Sequence, residues 1–429
     1  MTAPVEEREN TLQCAEDWQM RRSGGVAIPM RLDFEKIQIC LGSQQILERM
    51  SELPAELPFA PARIEFLNQV SGMLLASREA KRYPDVVTFA FWIRKANVLR
   101  KRDEVMQEGK FRMGRGLVFH IAPSNVAVNY AYSFAVSFLL GNANIVRLPS
   151  KEFPQTDIIN QAIRKVLEER GGGLENTMAF VRYSRSKEIN DYFSQNCNVR
   201  IVWGGDETIR EIRKSELPPR GEELTFADRY SICVIDGGTY ISIPDKARVA
   251  QDFYNDTYLS DQNACSSPRL VCWTGQKDEV ERARTVFWEE LWKIAAEKYH
   301  PQPVQFMDKL VNACLAAVEI SGIRVVKMKD NLITRIELES ITSQIQERRG
   351  HSGFFYECYL NEAVELAPVC GEKLQTIACL GCKEWLMPLI GSGVKGIDRV
   401  VSIGDTMDFD FVWDGYDLVE RLSREISIG

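Results

Sequence analysis

The residues best suited to chemistry lie in Leu259-Ser-Asp-Gln-Asn-Ala-Cys-Ser-Ser-Pro-Arg269, where Cys265 occupies a short polar turn. Apolar residues at helical spacing precede the turn (Val249, Phe253, Thr257 and Ala250, Tyr254, Tyr258), which predicts a helix over 245–258. A β-like run, Arg269 to Trp273, follows and stops at Thr274-Gly275. A thiol on such a junction is held still by packed elements yet stays open to a ligand. Polar neighbours help it ionise, and the thiolate is the nucleophilic form. Free cysteines are also commonly small buried hydrophobes, so the turn alone leaves both readings open.

The elements that must position this cysteine follow from the pattern before it. Leu117 to Ala122 is a continuous apolar run suited to a strand buried on both faces, and Pro123-Ser-Asn125 is a turn. A long apolar helix, 126–140, stops at Gly141-Asn142, and Ala143 to Leu148 is the next strand. Strands at 178–182, 199–203 and 230–235 alternate with helices at 153–170, 187–195 and 207–214. Strict alternation with short loops calls for a parallel sheet wrapped by helices, the architecture of nucleotide-binding domains. Later strands are expected at 323–328, 353–358, 374–378 and 399–403. The economical division is a mainly helical segment 1–110 packed on a dinucleotide-binding domain 111–236. A second α/β domain 237–404 carries the cysteine. The tail 405–429, rich in aromatics and acids (Phe409, Phe411, Trp413, Tyr416), packs on the fold or on a second subunit.

Composition bounds the function. With 429 residues, 45% hydrophobic and 26% charged, the balance is that of a soluble globular protein of about two domains. A net charge of −7 argues against broad nucleic-acid binding. The charged start of the chain has no secretory h-region, and no apolar run approaches a membrane span. Eleven cysteines without a framework fit a reducing cytoplasm. Cys379-Leu-Gly-Cys382 is a lone CxxC, and with only three histidines no metal site is expected. The basic cluster Arg94, Lys95, Arg100, Lys101 and Arg102 reads as a solvated face.

No GxGxxG follows the 117–122 strand, so a dinucleotide must meet the sheet through other turns. Pro123 and Ser124 close the first strand. Arg147-Leu-Pro-Ser-Lys151 follows the second, the usual place for reading the adenosine ribose. Arg147, Ser150 and Lys151 suit a 2′-phosphate, which favours NADPH over NADH, although Glu152 is adjacent. Trp203, Gly204 and Gly205 form a third turn where small residues allow close approach to phosphate oxygens.

Three stretches, taken together, resemble the aldehyde dehydrogenase superfamily: Gly116-Leu-Val-Phe-His-Ile-Ala-Pro-Ser-Asn125, Gly141-Asn-Ala-Asn-Ile-Val-Arg-Leu-Pro-Ser150 and Asp261-Gln-Asn-Ala-Cys-Ser-Ser-Pro-Arg269. Within it the chain is similar to the LuxC-type acyl-CoA reductases of bacterial luminescence. The stretches from Tyr83 to Arg94, Gly396 to Gly404 and Val412 to Asp417 look like that subgroup as well, so the likeness spans roughly 80 to 420. The resemblance implies an aldehyde dehydrogenase-like α/β fold, a Rossmann-type cofactor domain and a catalytic domain. It also implies NADPH-dependent reduction of a long-chain acyl-CoA to the fatty aldehyde. Cys265 would match the acylated nucleophile. Asn125 would match the amide that, with the Cys265 backbone N–H, holds the oxyanion; the residue read alone suits an Asx turn or helix cap.

Aldehyde-oxidising relatives place a water-activating glutamate before the strand that corresponds to 230–235. Here the register puts Thr225 or a neighbour in that slot, with Glu223 and Asp228 flanking it. Thioester reduction needs no hydrolytic water, so the departure favours acyl reduction over aldehyde oxidation. Partners implied are acyl-CoA, an acyl-protein synthetase, ligase or carrier protein, and further copies of the chain. The alternatives are a non-redox acyltransferase or thioesterase on the same cysteine, and a non-catalytic member of an acyl-transfer complex.

Overall fold

The computed structural model describes residues 32–107, 110–170, 172–326, 329–348 and 350–428. The expectations for residues 1–31, and for the end of the 323–328 strand, lie outside the described residues. The strands begin with β1 (Gln38–Leu41), β2 (Phe111–Gly114), β3 (Leu117–Ile121), β4 (Ala143–Arg147) and β5 (Met178–Arg182). They continue with β6 (Val199–Trp203), β7 (Glu222–Phe226), β8 (Tyr230–Asp236) and β9 (Pro268–Thr274). β10 (Ile323–Val326), β11 (Thr334–Leu338), β12 (Phe354–Tyr359), β13 (Leu374–Leu380) and β14 (Arg399–Ser402) follow. Three short strands close the chain: β15 (Val412–Trp413), β16 (Tyr416–Asp417) and β17 (Ser423–Ile426).

Two α/β sheets carry the fold. The first has strand order β1-β5-β4-β3-β6-β7. Its strands from β5 to β7 are parallel, and only the edge strand β1 is antiparallel. All five residues of β3 are buried, as a strand covered by helices on both faces requires. The Asn129–Leu139 helix packs on one face, the Lys187–Asn196 helix on the other. The former ends at Gly141, whose φ of 86° lies in the left-handed region, and a Cβ there would run into the Glu56 carbonyl. Strand order reverses about β3, with β4 on one side and β6 on the other, which marks the carboxyl ends of β3 and β6 as a topological switch point. Open α/β sheets bind their ligands at such a point, beyond the strands' carboxyl ends.

The second sheet has the order β10-β11-β12-β9-β8-β13-β14, parallel except for the β10–β11 pair. The 230–235 strand, expected to continue the first sheet, therefore runs as β8 in the middle of the second. The chain changes sheet between Phe226 and Tyr230, ahead of the Asp236–Gly238 turn where the sequence suggested a boundary. In the two sheets, β1, β7 and β11 were not foreseen, nor were the short strands β2, β15, β16 and β17 outside them; β7 lengthens the first sheet, and β11 pairs the edge strand β10 to the second.

The C-terminal segment returns to the first sheet. Phe409, Phe411 and Trp413 join its helical core, and the Trp92 indole N–H donates to the Phe409 carbonyl at 2.8 Å. β17 pairs with β2. The basic cluster near residue 100 is drawn into ion pairs, Lys95 with Glu65, Arg100 with Glu104 and Lys101 with Asp410. No helix of the described residues is long and apolar enough to cross a membrane.

Candidate active site

Cys265 sits where the Lys246–Thr257 helix gives way to β9, and its turn is built on backbone that few residues adopt. Asp261 and Gln262 are both left-handed, with φ of 51° and 60°. Side chains other than glycine pay for that conformation, so neighbouring bonds must hold it. Gln262 supplies them. It is fully buried, and its Nε2 donates to the Pro268 and Phe354 carbonyls at 2.9 and 3.0 Å. Its Oε1 accepts the backbone N–H groups of Gly353 and Phe354, both at 3.1 Å. One amide thus ties the turn to β9 and β12. Asp261 is fixed from outside by the Tyr299 hydroxyl at 2.6 Å and by Gln305 Nε2 at 3.1 Å.

On this frame the Cys265 carbonyl accepts from Ser231 Oγ at 2.8 Å, and Ser266 Oγ reaches Met407 Sδ at 3.1 Å. The thiol is partly exposed and free of any disulfide. Burial pushes its pKa up. The Arg229 backbone N–H and the charges of Arg269 and Arg229 favour the thiolate, while Asp414 opposes it. Asp414 is itself buried, which raises its carboxyl to about 6 against the pull of Arg229 and of a hydrogen bond from Gln375.

Asn125, on the turn that leaves β3, is exposed, and its Nδ2 donates to the Asn263 carbonyl at 3.3 Å. Two residues from opposite sheets are thereby brought to one place, the amide resting on the cysteine's own turn. Pro123 and Ser124 lie on the same turn beyond the carboxyl end of β3, Pro123 half-buried and Ser124 exposed.

The other residues singled out from the sequence are arranged as follows. The Arg147 guanidinium lies over the Tyr183 ring, 4.5 Å from its centroid, and Lys151 lies over Phe153 at 4.8 Å. Neither has a carboxylate partner among the described residues. Glu152, the neighbouring acid, is paired instead with Arg182 at 3.3 Å. Ser150 is exposed beside them. The Trp203 side chain turns into the core. It stacks on Phe226 with centroids 3.6 Å apart, and its Nε1 donates to Ser133 Oγ at 3.0 Å, so at the turn it offers backbone. A side chain at Gly204 would press on Thr208, whereas Gly205 has open space around it. The helix that follows begins with Asp206 and Glu207, whose charge disfavours a phosphate at its N-terminus.

In the stretch matching the glutamate slot, Glu223 is held by Arg200 at 2.5 Å and Arg213 at 2.6 Å, and the Thr225 carbonyl accepts from the Tyr416 hydroxyl at 3.4 Å. Cys379 and Cys382 are both buried, and among the described residues no cluster of three or more His, Cys, Asp or Glu could hold a metal. Sequence reasoning missed Gln262, Ser231, Arg229 and Asp414. The one signal at hand was the Trp413-Asp-Gly-Tyr416 motif.

The residues present fit a nicotinamide dinucleotide in part. The strand reversal about β3, the open space at Gly205 and two cations without carboxylate partners among the described residues suit one, while the acidic helix start beyond Gly205 offers it no anion site.

Comparison with known proteins adds the following. The acyl-CoA reductase (LuxC) family model matches residues 92–312. Among solved structures, a Thermus thermophilus 1-pyrroline-5-carboxylate dehydrogenase mutant superposes with a TM-score of 0.62 at 13% identity, covering 100% of this chain and 97% of that one. Betaine aldehyde dehydrogenase from Staphylococcus aureus gives 0.62 at 13%, covering 90% of this chain and 85% of its own. Lactaldehyde dehydrogenase from Escherichia coli gives 0.61 at 11%, covering 90% and 88%. At these identities the likeness speaks for the fold, an aldehyde dehydrogenase-like arrangement. No curated protein matches the chain by sequence.

Proposed function

Because the chain belongs to the LuxC family of acyl-CoA reductases, oxidoreductases of acyl and aldehyde groups, we propose that it reduces a long-chain acyl-CoA to the fatty aldehyde through an acyl-Cys265 intermediate, with NADPH as reductant. The contact of Asn125 with the Cys265 turn carries this reading. The Cys265 thiolate attacks the thioester carbonyl. Charge passes to the carbonyl oxygen, and the tetrahedral adduct collapses with loss of the CoA thiolate to leave an acyl-cysteine thioester. Asn125 Nδ2 has a second N–H beyond the one given to Asn263, and this N–H and the Cys265 backbone N–H are the donors for that oxygen. A donor of this kind lowers the barrier by about 3 to 4 kcal/mol.

When bound, NADPH would supply a hydride to the acyl carbonyl, and the C–S bond to Cys265 would then break, freeing the aldehyde and returning the Cys265 thiolate. Arg147 and Lys151 would hold its 2′-phosphate, Ser150 the adjoining ribose, and Pro123, Ser124, Gly204 and Gly205 would line its path, with Trp203 contributing backbone. With Glu223 committed to two arginines, it is not free to activate a water for hydrolysis of the acyl-enzyme.

The test is a trapping experiment with radiolabelled acyl-CoA. Wild-type protein should retain label in a neutral-hydroxylamine-sensitive bond, and Cys265→Ala should retain none while remaining folded. Label on the Ala variant refutes the nucleophile. Acyl-CoA consumption without loss of NADPH absorbance would replace reduction by a non-redox acyl transfer.

A further inference from the structure

Five arginines are buried among the described residues: Arg63, Arg112, Arg200, Arg269 and Arg335. A buried guanidinium is costly unless it is paired. Four of the five obey the rule, with Glu56, Glu425, Glu223 and Glu357 as their respective partners. Arg269 is the exception. It is 7% exposed, its Nε has no hydrogen-bond acceptor, and no carboxylate among the described residues pairs with it.

Its place in the fold suggests what completes it. Arg269 is the second residue of β9, four positions after Cys265. The intervening chain folds back through a bond from the Ser267 N–H to the Ala264 carbonyl at 3.1 Å. Ser231 holds the Cys265 carbonyl and is also the cross-strand partner of Pro268, so Cys265 and Arg269 flank one residue of β8. The Cys265 thiol bears on the Arg269 charge, and Arg269 in turn bears on His351. The groups bearing on the thiol are Arg229 from the segment before β8, Asp414 from the β15–β16 turn and Arg269 itself.

We propose that Arg269 is the counter-ion of the Cys265 thiolate, a positioning residue that stabilises the nucleophile before acyl-CoA arrives. The inference rests on Cys265 being the acylated residue. On ionisation the thiol proton leaves to solvent, and the negative sulfur supplies the charge that Arg269 otherwise lacks. Because burial raises the thiol pKa, this charge decides how much nucleophile is present near neutral pH.

The experiment is alkylation of the full chain by iodoacetamide across a pH series, with Cys265 resolved from the other cysteines by peptide mass spectrometry. In Arg269→Gln the alkylation midpoint should move up by about one pH unit or more, slowing the reaction at pH 8 roughly tenfold, whereas Arg269→Lys should stay nearer wild type. A folded Arg269→Gln protein with the wild-type midpoint overturns the proposal. Should that variant not fold, the converse pair decides. With Arg269 intact, Cys265→Asp places a fixed negative charge beside it and should unfold at a higher temperature at pH 8 than Cys265→Asn. An Asp variant no more stable than the Asn variant overturns the proposal as well. Alkylation requires neither acyl-CoA nor reductant, so failure here is separate from failure of the acyl-trapping experiment.

Discussion

Replacing Gln262 by methionine keeps the side-chain volume and removes every hydrogen bond that the amide makes. The four bonds join a left-handed turn to two strands, with distances between 2.9 and 3.1 Å. A typical net value of about 1 kcal/mol per bond, with more for partners left unsatisfied in the interior, puts the loss at about 4 kcal/mol. The two positive-φ residues decide how the turn responds once the clamp is gone. Holding Asp261 and Gln262 in that region costs about 1 to 2 kcal/mol each, and the clamp is what resists their relaxation. For a domain of this size the loss corresponds to a fall in Tm of roughly 10 °C. Thermal unfolding by tryptophan fluorescence measures it, and hydrogen exchange at the Gly353 and Phe354 amides shows where the structure opens. Gln262→Glu should be at least as damaging at neutral pH, because a carboxylate cannot donate to the Pro268 and Phe354 carbonyls. A Tm within about 2 °C of wild type for the Met variant, with unchanged exchange at both amides, would refute the view that this residue shapes the cysteine's turn.

Asn125→Ala should slow acylation by roughly two to three orders of magnitude with little change in Tm, as read by stopped-flow release of CoA; an unchanged rate removes it from the oxyanion site. His120 is buried, and burial lowers its pKa to about 4 despite the opposing bond to Asn144. The unfolded chain takes up a proton near pH 6.5 that the folded protein refuses. Its contribution is therefore complete above that pH and is lost as pH falls towards 4, worth up to about 3 kcal/mol. Urea midpoints at pH 4.5 and 7 should differ less in His120→Asn than in wild type, and equal differences would contradict the assignment. Glu357 is fully buried and accepts from the indoles of Trp273 and Trp288 at 2.7 and 2.6 Å while pairing with Arg284 and Arg335. Burial opposes its ionisation, but the two guanidinium groups hold its pKa below the ordinary carboxylate range. Glu357→Gln should cost about 3 to 5 kcal/mol in chemical denaturation, and a loss below about 1 kcal/mol would show the cluster to be dispensable.

How far the sequence foretold this structure depends on what kind of fact each residue represents. β3 and β6 were legible because every residue of Leu117–Ile121 and Val199–Trp203 is buried, and an unbroken apolar run announces that directly. The cysteine junction was legible for the same reason, since apolar spacing marked its helix and its strand. β7 was not. Its sequence, Glu-Glu-Leu-Thr-Phe, buries only Leu224 and Phe226, and Glu223 is there because Arg200 on the neighbouring strand requires a partner. β11 repeats the case, with Arg335 buried against Glu357 from β12. Trp203 was named for the turn it opens; that its ring packs on Phe226 and Ser133 is a contact between segments that the local sequence does not announce. Gln262 is the extreme example. It looks like one polar residue among several in a solvated turn, yet its four partners come from β9 and from a segment some ninety residues later, none of which marks it in the local sequence. Apolar burial is a property of one segment and can be read there. The satisfaction of a buried polar group belongs to pairs of segments and becomes visible only when they meet. Arg269 extends the reasoning to function. Its charge and position are legible in the sequence, and what distinguishes it from the four other buried arginines is that no carboxylate among the described residues pairs with it, whereas an ionised Cys265 would.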